Sequence, residues 1–371
     1  MVRPPLSDGR GVCPEPLRHN VKVVRACVNL FTTDRAVTPV STPGLLIPTG
    51  RAGVAADFVA VVSGSSGPVA TYSGRVSSDP VAGPLVEVAD LDDLRLSEYR
   101  GLNNPAARRR LEAELAIIVV EGRVAVHQLL DTRLVIRSLL VDDRQITLAA
   151  DLVDAVRARG ATVYVVPRHR MSELVGFRLH RGVVAVSDRP PDIDPEQILR
   201  DVAGRSGPSG GPPLLAVLEG LNDPENIGAL FRNAAAFGVA AVLLDPTCSD
   251  PLYRRSIRVS VGHALHLPFA RLNRWPGGLE GVRAAGFVVC ALAPHPAGCV
   301  PVPLHDLRAR LADRVPEPAG VALLVGAEGP GLSEAALAAA DEVVTIPMAP
   351  GVDSLNVATA AAVAFDRLST P

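Results

Sequence analysis

The stretch from Val321 to Leu368 reads VALLVGAEGPGLSEAALAAADEVVTIPMAPGVDSLNVATAAAVAFDRL and contains the elements that decide the fold. Its first five residues are apolar, which predicts a short buried strand. The segment GAEGPG at 326–331 follows, and its three glycines let the backbone approach a ligand closely. Residues 342–346 predict a second short strand, which Pro347 stops. Two strand ends therefore each carry a loop, and ligands of open parallel sheets bind beyond such ends.

Few polar side chains lie in these two loops, and they are the candidates for a functional role: Glu328, Ser354 and Asn356. Ser333 can cap the alanine-rich helix after the first loop, and Asp353 or Ser354 can cap the last helix. On spacing alone, an exposed turn residue at 328 and a plain helix cap at 354 explain the pattern as well as a binding site does.

Three motifs resemble those of a known enzyme family. Residues 218–238 read LEGLNDPENIGALFRNAAAFG, and GAEGPGL at 326–332 is followed by IPM at 346–348 and SLNVATA at 354–360. In this order they resemble the motifs of the SpoU (TrmH-like) RNA ribose methyltransferases, which are members of the SPOUT class. The resemblance covers the chain from Pro213 to the C-terminus.

The resemblance implies S-adenosylmethionine as the methyl donor. The adenine of this donor requires an apolar slot with backbone hydrogen bonds. The backbone contacts of the family fall on Gly326, Ile346 and Leu355, with Met348 nearby. No GxGxxG motif follows a first strand, so the sequence does not predict a dinucleotide site of the Rossmann type.

The implied acceptor is a ribose 2′-hydroxyl of RNA, and the resemblance puts Arg232 at the reacting ribose. A guanidinium stays protonated, so Arg232 is a poor free base, and bidentate binding of the adjacent phosphate is easier to defend. The residues implied to orient Arg232, the loops and the ribose are Asn226, Glu328, Ser354 and Asn356. The alternative for Arg232 is an ordinary surface position on a helix.

Residues 90–190 alternate between apolar strands and helices, which predicts a small α/β/α domain. Its pieces NNP at 103–105, IIVVEG at 117–122 and GFRLHRGVVAV at 176–186 resemble the substrate-binding domain of many SpoU proteins, which has a ribosomal-protein-like RNA-binding fold. The resemblance makes seven arginines candidates for phosphate contacts. They are Arg100, Arg108, Arg109, Arg110, Arg123, Arg178 and Arg181. A solvated charged face is the alternative for each of them.

The other boundaries follow from composition. Residues 1–89 are rich in Pro, Gly, Ser and Thr, which is typical of a disordered extension or of sequence upstream of the true start, although apolar pieces such as 21–30 can pair as strands. Residues 191–213 end in a Gly/Ser/Pro-rich linker. In residues 214–371, strands alternate with helices, which predicts an α/β fold with a mostly parallel sheet. The resemblance implies a C-terminal trefoil knot of the SPOUT type.

Composition narrows the classes of function. The formal net charge is −2, so no overall basic field indicates nucleic acid. The five cysteines show no CxxC spacing, which predicts neither a metal site nor a disulfide scaffold and fits a reducing cytoplasm. No apolar run is long enough to span a bilayer.

These features together predict a two-domain RNA 2′-O-ribose methyltransferase that acts as a homodimer, since SPOUT active sites usually need a second subunit. SpoU members with this N-terminal domain often act on large-subunit ribosomal RNA, so ribosomal RNA is the expected substrate and tRNA is the alternative. The rival from another class is a non-catalytic RNA-binding or assembly factor, and the filled polar motif positions argue against it. An ordinary nucleotide-binding enzyme would need a phosphate loop, which the sequence lacks.

Overall fold

A computed structural model of the chain describes residues 82–369, with gaps at 178, 180–181, 208–209, 295–299 and 315–316, together with three strands of the preceding segment. The chain divides into two units, residues 1–79 and residues 80–371. Among the described helices, none has the length and apolar character needed to cross a membrane.

The first unit contains a small antiparallel sheet. Its strands are β1 (Leu46–Pro48), β2 (Asp57–Val62) and β3 (Ala70–Arg75), in the order β1-β2-β3. The sequence analysis left three possibilities open here: a disordered extension, sequence upstream of the true start, and apolar pieces that pair as strands. The β-branched and aromatic residues in β2 and β3 favour the strands that the structure has. The apolar piece 21–30 lies outside the described residues.

The second unit begins with an α/β domain whose five-stranded sheet has the order β4-β7-β6-β8-β5. The strands are β4 (Leu85–Glu87), β5 (Ile117–Glu121), β6 (Ile136–Asp142), β7 (Thr162–Val166) and β8 (Val183–Asp188). Strand β8 is antiparallel to its two neighbours, and β4, β7 and β6 run parallel. Because β4 pairs with β7, this domain starts near residue 82 and not at residue 90.

Helices cover both faces of this sheet. They are the 3₁₀ helix Leu94–Tyr99, α1 (Pro105–Leu115), α2 (Arg123–Leu130), α3 (Gln145–Leu148), α4 (Ala150–Ala158) and α5 (Arg168–Val175). Apolar residues of α2 and α4 are buried against one face, and those of the 3₁₀ helix and α5 against the other. We refer to this five-stranded sheet and its helices as the first domain.

The second domain has a seven-stranded, entirely parallel sheet in the order β11-β10-β9-β14-β12-β15-β13. The strands are β9 (Leu214–Glu219), β10 (Ala241–Leu244), β11 (Phe269–Arg271), β12 (Phe287–Leu292), β13 (Val302–Pro303), β14 (Gly320–Gly326) and β15 (Glu342–Thr345). The predicted α/β fold with a parallel sheet is confirmed.

Helices of the second domain lie on both faces of its sheet. They are α6 (Pro195–Val202), α7 (Pro224–Ala236), α8 (Arg254–Val259), the 3₁₀ helix His263–Leu265, α9 (Leu279–Ala284), α10 (Leu307–Ala312), α11 (Glu334–Ala338) and α12 (Val357–Ser369). Helices α7, α10 and α12 pack on one face, and α6, α9 and α11 on the other.

Helix α6 lies within the segment that the sequence analysis assigned to the linker. Its apolar residues Ile198, Leu199 and Val202 are buried in the same cluster as residues of β9 and β10. Asp194 caps the helix and Pro195 occupies its first turn, which is a common start signal. The true connector between the domains is therefore the shorter Gly/Ser/Pro-rich stretch after Ala203.

Helix α7, which carries the first motif, begins as predicted. The Asp223 carboxylate accepts a hydrogen bond from the Glu225 amide at 2.9 Å, and Pro224 lies in the first turn. A Cβ on Gly228 would lie 2.6 Å from the Ser256 carbonyl oxygen, so only glycine lets α7 cross α8 this closely. The glycine of this motif thus serves helix packing.

The two domains share an apolar core. Leu252 and Ile257, from the second domain, are buried in the same cluster as the helices of the first. At its rim, an Arg189 Nη1 atom lies 2.7 Å from an Asp250 carboxylate oxygen. We call this contact between α8 and the first domain the interdomain seam.

A buried charged pair lies at the centre of the interdomain seam. Arg254 is 4% exposed, forms an ion pair with Glu121, and donates to the Leu102 carbonyl oxygen at 3.2 Å. Its guanidinium carbon also lies 4.4 Å from the centroid of the Phe177 ring. Such a pair is costly to separate, because removing one partner leaves a buried charge. The seam therefore opposes free rotation of the domains about their connector.

Candidate active site

A cavity of about 360 Å³ opens at the carboxyl ends of β12, β14 and β15. Its walls come from residues within four segments, 292–294, 325–331, 345–348 and 354–360, and are largely apolar. The lining includes all four residues expected to bind the donor and three of those expected to act in catalysis. These are Gly326, Ile346, Met348, Leu355, Glu328, Ser354 and Asn356.

A hydrogen-bonded group of three polar side chains lies at this cavity. The Asn356 amide nitrogen donates to a Glu328 carboxylate oxygen at 2.5 Å and to the Asn226 amide oxygen at 3.2 Å. The structure thus brings together one residue from each of the three motifs. Asn233, also on α7, donates to the Ala358 carbonyl oxygen at 2.8 Å and ties α7 to α12 behind the group.

Asn356 also caps the last helix. Its side-chain oxygen accepts hydrogen bonds from the amides of Ala358 and Thr359, at 3.1 and 3.2 Å. The expectation that Asp353 or Ser354 caps this helix is wrong, because α12 starts only at Val357. With its oxygen held by the helix terminus, the Asn356 amide group points its nitrogen towards Glu328.

Gly326 was expected to let the backbone approach a ligand, but the structure requires a glycine here because the following loop packs against it. A Cβ on Gly326 would lie 2.4 Å from the Gly331 carbonyl carbon and 2.5 Å from the Leu332 nitrogen. The loop 327–332 folds back onto the strand end, and the Gly331 amide donates to the Ala327 carbonyl oxygen at 3.0 Å. A side chain at 326 would therefore displace the loop itself as well as approach the cavity.

Arg232 is exposed on α7 and does not line the cavity. Six residues separate it from Asn226, which is a rise of about 9 Å along the helix axis. No hydrogen bond or ion pair joins its guanidinium to another described residue. Burial lowers the pKa of nearby His263, with further contributions from the charges of His266 and Arg232. Arg232 thus keeps all its donors available on the surface of α7.

Comparison with known proteins places the three motifs in context. The model of the SpoU rRNA Methylase family matches residues 213–366, and that of the RNA 2′-O ribose methyltransferase substrate-binding family matches residues 119–192. An uncharacterized tRNA/rRNA methyltransferase of Mycobacterium tuberculosis is 41% identical over 292 residues, which cover 79% of this chain and 94% of that protein. The chain belongs to the SpoU family of RNA methyltransferases.

More distant SpoU relatives agree with this assignment. A 23S rRNA (guanosine-2′-O-)-methyltransferase of Vibrio vulnificus is 27% identical over 62% of this chain and 85% of its own length. The crystal structure of an AdoMet-bound rRNA methyltransferase from Sinorhizobium meliloti has a TM-score of 0.60 and 25% identity, and covers 76% of this chain and 97% of that one. The predicted function, S-adenosylmethionine-dependent methylation of an RNA ribose, is confirmed at the level of the family.

The first domain of this SpoU chain uses one of the predicted RNA-contact arginines inside its own core. Arg108 is 2% exposed, donates to the Glu98 carbonyl oxygen at 2.8 Å and pairs with Glu112 at 3.1 Å. Burial lowers the pKa of the Arg108 guanidinium and raises that of the Glu112 carboxyl. The prediction that Arg108 contacts RNA is wrong, because its guanidinium lies below the surface, where it pairs with Glu112 and binds the Glu98 carbonyl oxygen.

The other predicted RNA-contact arginines differ in how accessible they are. Arg100 is half-buried and donates to the carbonyl oxygens of Leu91 and Asp93, so its guanidinium is partly committed. Arg123 is half-exposed and lies 3.7 Å from an Asp151 carboxylate oxygen. Arg109 and Arg110 are exposed on α1, whereas Arg178 and Arg181 lie outside the described residues. The RNA-binding role of these six stays a prediction.

Sequence reasoning missed two parts of the SpoU site. Leu292, Ala293 and Pro294 line the cavity where β12 ends, and only the end of an apolar run marked them. Glu219, in the first motif, lies at the end of β9 and is 8% exposed. Carboxylates are rarely buried without partners. In the sequence, the position of Glu219 within the first motif was the available signal that this residue matters to the site.

The cysteines described in the structure take no part in the site. Cys248 and Cys290 are buried free thiols, and burial raises the pKa of each to about 12. A protonated thiol is a poor nucleophile and metal ligand. Over the described part of the chain, no three His, Cys, Asp or Glu side chains are grouped as metal ligands.

Proposed function

We propose that this SpoU protein methylates a ribose 2′-hydroxyl of ribosomal RNA and holds the donor in the cavity at the ends of β12, β14 and β15. The observation that carries the proposal is the Glu328–Asn356–Asn226 group beside a largely apolar cavity of about 360 Å³. A volume of that order lies within the range of roughly 300–1,000 Å³ found for small-molecule sites. The kinship with a 23S rRNA methyltransferase supports ribosomal RNA.

The donor side of the site is proposed to work mainly through the backbone. Gly326, Ile346 and Leu355 line the cavity and offer peptide groups to the adenine and ribose, and Met348 adds apolar contact. S-adenosylmethionine supplies an electrophilic methyl group when bound. The chain's part is to keep that methyl in a pocket with apolar walls, away from water.

The acceptor side is proposed to work through polar side chains. Arg232 is exposed and binds the phosphate next to the target ribose bidentately, which orients the 2′-hydroxyl without requiring the guanidinium to lose a proton. The phosphate oxygen then accepts the hydroxyl proton. Four polar side chains hold the loops and the ribose in position: Asn226, Glu328, Ser354 and Asn356. Positioning of this kind can lower a barrier by roughly 7–11 kcal/mol.

Two copies of the chain are proposed to form the active unit. Arg232 does not line the cavity of its own chain. Val363, on α12 beside α7, is an apolar side chain that is 37% exposed. A partner packed on this face would cover Val363 and bring a second Arg232 towards the cavity.

Mixed dimers test this arrangement. Arg232→Ala and Asn356→Ala chains, co-expressed with different tags and purified as mixed dimers, should retain about half of wild-type activity if each site uses both chains of a two-fold dimer. Mixed dimers as inactive as either parent would assign both residues to one chain. A monomeric mass in solution would remove the dimer altogether.

The C-terminal segment is proposed to form the trefoil knot of SPOUT proteins. After β14 the chain crosses to β15 on the far side of β12, and then returns in α12 to pack on α7. This out-and-back path supports a threaded end. The proposed place of action is the cytoplasm, where the free thiols of Cys248 and Cys290 would persist.

Ribose-methylation mapping tests the substrate. Mass spectrometry should compare nucleosides of ribosomal RNA and tRNA from cells with and without the gene. We expect one 2′-O-methylated nucleoside to disappear from large-subunit ribosomal RNA. A loss confined to tRNA would favour the tRNA alternative. Unchanged RNA, together with no methyl transfer to unmodified RNA in vitro, would favour an RNA-binding assembly factor.

A further inference from the structure

Glu219 is a buried carboxylate with an unusual set of partners. It accepts hydrogen bonds from Trp275 Nε1 at 2.5 Å, from Ser333 Oγ at 2.6 Å and from the Ser333 amide at 2.9 Å. No basic side chain of the described residues forms an ion pair with it, although it is only 8% exposed. Three neutral donors therefore hold this carboxylate in place of a cation.

The same residue holds both ends of the loop 327–332. Its backbone lies directly opposite Gly326 in the register between β9 and β14. Its side chain binds Ser333, which is the first residue after the loop and the cap of α11, where Ser333 Oγ accepts from the Ala336 amide at 3.2 Å. The loop itself is closed by the hydrogen bond from Gly331 to Ala327. Its position therefore depends on its two ends, and Glu219 contacts both.

The loop carries a residue of the cavity. Glu328 lines the cavity and accepts the Asn356 hydrogen bond at 2.5 Å. A displacement of Ser333 would move the loop, and with it Glu328 relative to Asn356. Contacts thus run without a break from Glu219, through Ser333 and the loop, to the cavity wall.

We propose that Glu219 is a positioning residue for the donor site, which keeps the loop 327–332 in the conformation that binds S-adenosylmethionine. The inference rests on the proposed placement of the donor in this cavity. Glu219 itself does not line the cavity, so it acts through Ser333 and the loop. Trp275 completes the clamp, because its indole N–H can only donate and it binds the same Glu219 oxygen, Oε1, as the Ser333 hydroxyl.

The clamp contains its own reporter. Trp275 is the only tryptophan of the chain, so intrinsic tryptophan fluorescence reports on this one position. Because Trp275 and the loop share the Glu219 carboxylate, ordering of the loop by the donor should change the emission of Trp275. Loss of the carboxylate should abolish that change.

The test uses the full-length chain with S-adenosylmethionine as the titrant. Glu219→Ala should raise the dissociation constant by tenfold or more in calorimetry, and Glu219→Gln should have an intermediate effect because it offers one acceptor oxygen and a competing donor. Circular dichroism should stay native for both. The fluorescence response should be lost in Glu219→Ala. Glu280→Gln, an exposed carboxylate on α9, is the matched control and should bind like the wild type.

Ser333 supplies the second arm. Ser333→Ala removes one hydrogen bond of the clamp and should weaken donor binding, whereas Ser333→Thr keeps the hydroxyl and should restore it. This arm decides the matter if Glu219→Ala fails to fold. Wild-type affinity and a wild-type fluorescence response in Glu219→Gln and Ser333→Ala would overturn the positioning role. If the wild-type chain itself bound no S-adenosylmethionine, the placement of the donor would fall first, which separates the two failures.

Discussion

The cavity and the interdomain seam use the same kinds of side chain in opposite ways. At the seam, Arg254 is 4% exposed and its guanidinium meets Glu121, a carbonyl oxygen and an aromatic ring. On α7, the helix of the first motif, Arg232 is exposed and its guanidinium meets no hydrogen-bond acceptor among the described residues. Glu121 is likewise buried in an ion pair, whereas Glu328 is exposed and bound by a neutral amide.

This difference in burial distinguishes charged side chains that stabilise the fold from those that remain available to a ligand. A buried charge with protein partners stabilises one arrangement of the chain, and its loss is felt as instability. A charge left without partners contributes little to stability and remains available to a ligand. Variants at the two regions should therefore fail in different assays, and the following predictions run from the largest expected effect to the smallest.

The seam should give the largest loss of stability. Arg254→Ala removes the buried partner of Glu121 and leaves only the longer ion pair with the exposed Arg258, at 3.6 Å. The free energy of unfolding should fall by about 3 kcal/mol, the lower end of the range of roughly 3–5 kcal/mol for a broken buried pair. Denaturant unfolding measures this value. Arg255→Ala changes the neighbouring exposed arginine and should stay within about 0.5 kcal/mol of the wild type. Equal stabilities of the two variants would show that the seam does not hold the domains together.

The cavity region should show the reverse pattern. Arg232→Ala should slow single-turnover methyl transfer by roughly 10²- to 10³-fold, by analogy with the loss of one oxyanion-hole donor. Unfolding free energy and donor affinity should stay near wild type, because Arg232 is exposed and does not line the cavity. Arg232→Lys should rescue poorly, since one ammonium cannot form a bidentate fork. Arg200→Ala, an exposed arginine on α6, is the control, and a normal rate in Arg232→Ala would remove its assigned role.

Asn356 combines both functions, and two variants can separate them. Asn356→Ser keeps a capping oxygen for α12 but loses the amide donor to Glu328. We expect nearly unchanged stability and a loss of roughly 1.5–3 kcal/mol in transition-state stabilisation, which is the worth of a charge-assisted hydrogen bond. Asn356→Ala should also lose about 1 kcal/mol of stability with the cap. Full methyltransferase activity in Asn356→Ser would assign this residue to capping alone.

The first domain offers a test within one helix. Charge reversal of the exposed Arg109 and Arg110 should weaken RNA binding and reduce the slope of log affinity against log salt by about 0.7–0.9 per lost phosphate contact. Reversal of the buried Arg108 should instead destabilise the domain. Filter binding at several salt concentrations measures the slope, with Arg200→Glu as the control. Unchanged slopes would put the RNA path on another surface.

The smallest effect concerns the pH dependence of a paired carboxylate. Burial opposes the charged form of Glu342, but hydrogen bonds from Arg314 and Arg310 lower the pKa of its carboxyl below the usual 4.5. A lowered folded-state pKa contributes stability above the unfolded-state pKa and loses it as pH falls through the folded-state value. The difference in unfolding free energy between wild type and Glu342→Gln should therefore be constant above about pH 5 and shrink in acid. A difference that grows in acid would contradict this assignment.

Local patterns were enough to predict the strands and loops that form the cavity. The strand predicted at 321–325 is β14 at 320–326, and the strand predicted at 342–346 is β15 at 342–345. The cap at Asp223 and the glycine-rich turn after β14 also lie where the residues suggested. These features depend on apolar runs, caps and turn residues, which act over a few neighbouring positions. Sequence alone therefore determined the parallel α/β architecture, the family and the loops that line the cavity.

Only the tertiary structure decided which polar side chains are buried and paired with other groups of the protein. Three consecutive arginines, at 108–110, look alike in sequence. Arg108 alone is buried, where it donates a hydrogen bond to the Glu98 carbonyl oxygen. Arg254 finds its partner Glu121 at 133 positions' distance along the chain. Helix α6 became part of the core because β9 and β10 offer it an apolar face. Burial and pairing depend on segments that are remote in sequence, and no pattern within one segment can report what the fold packs against it.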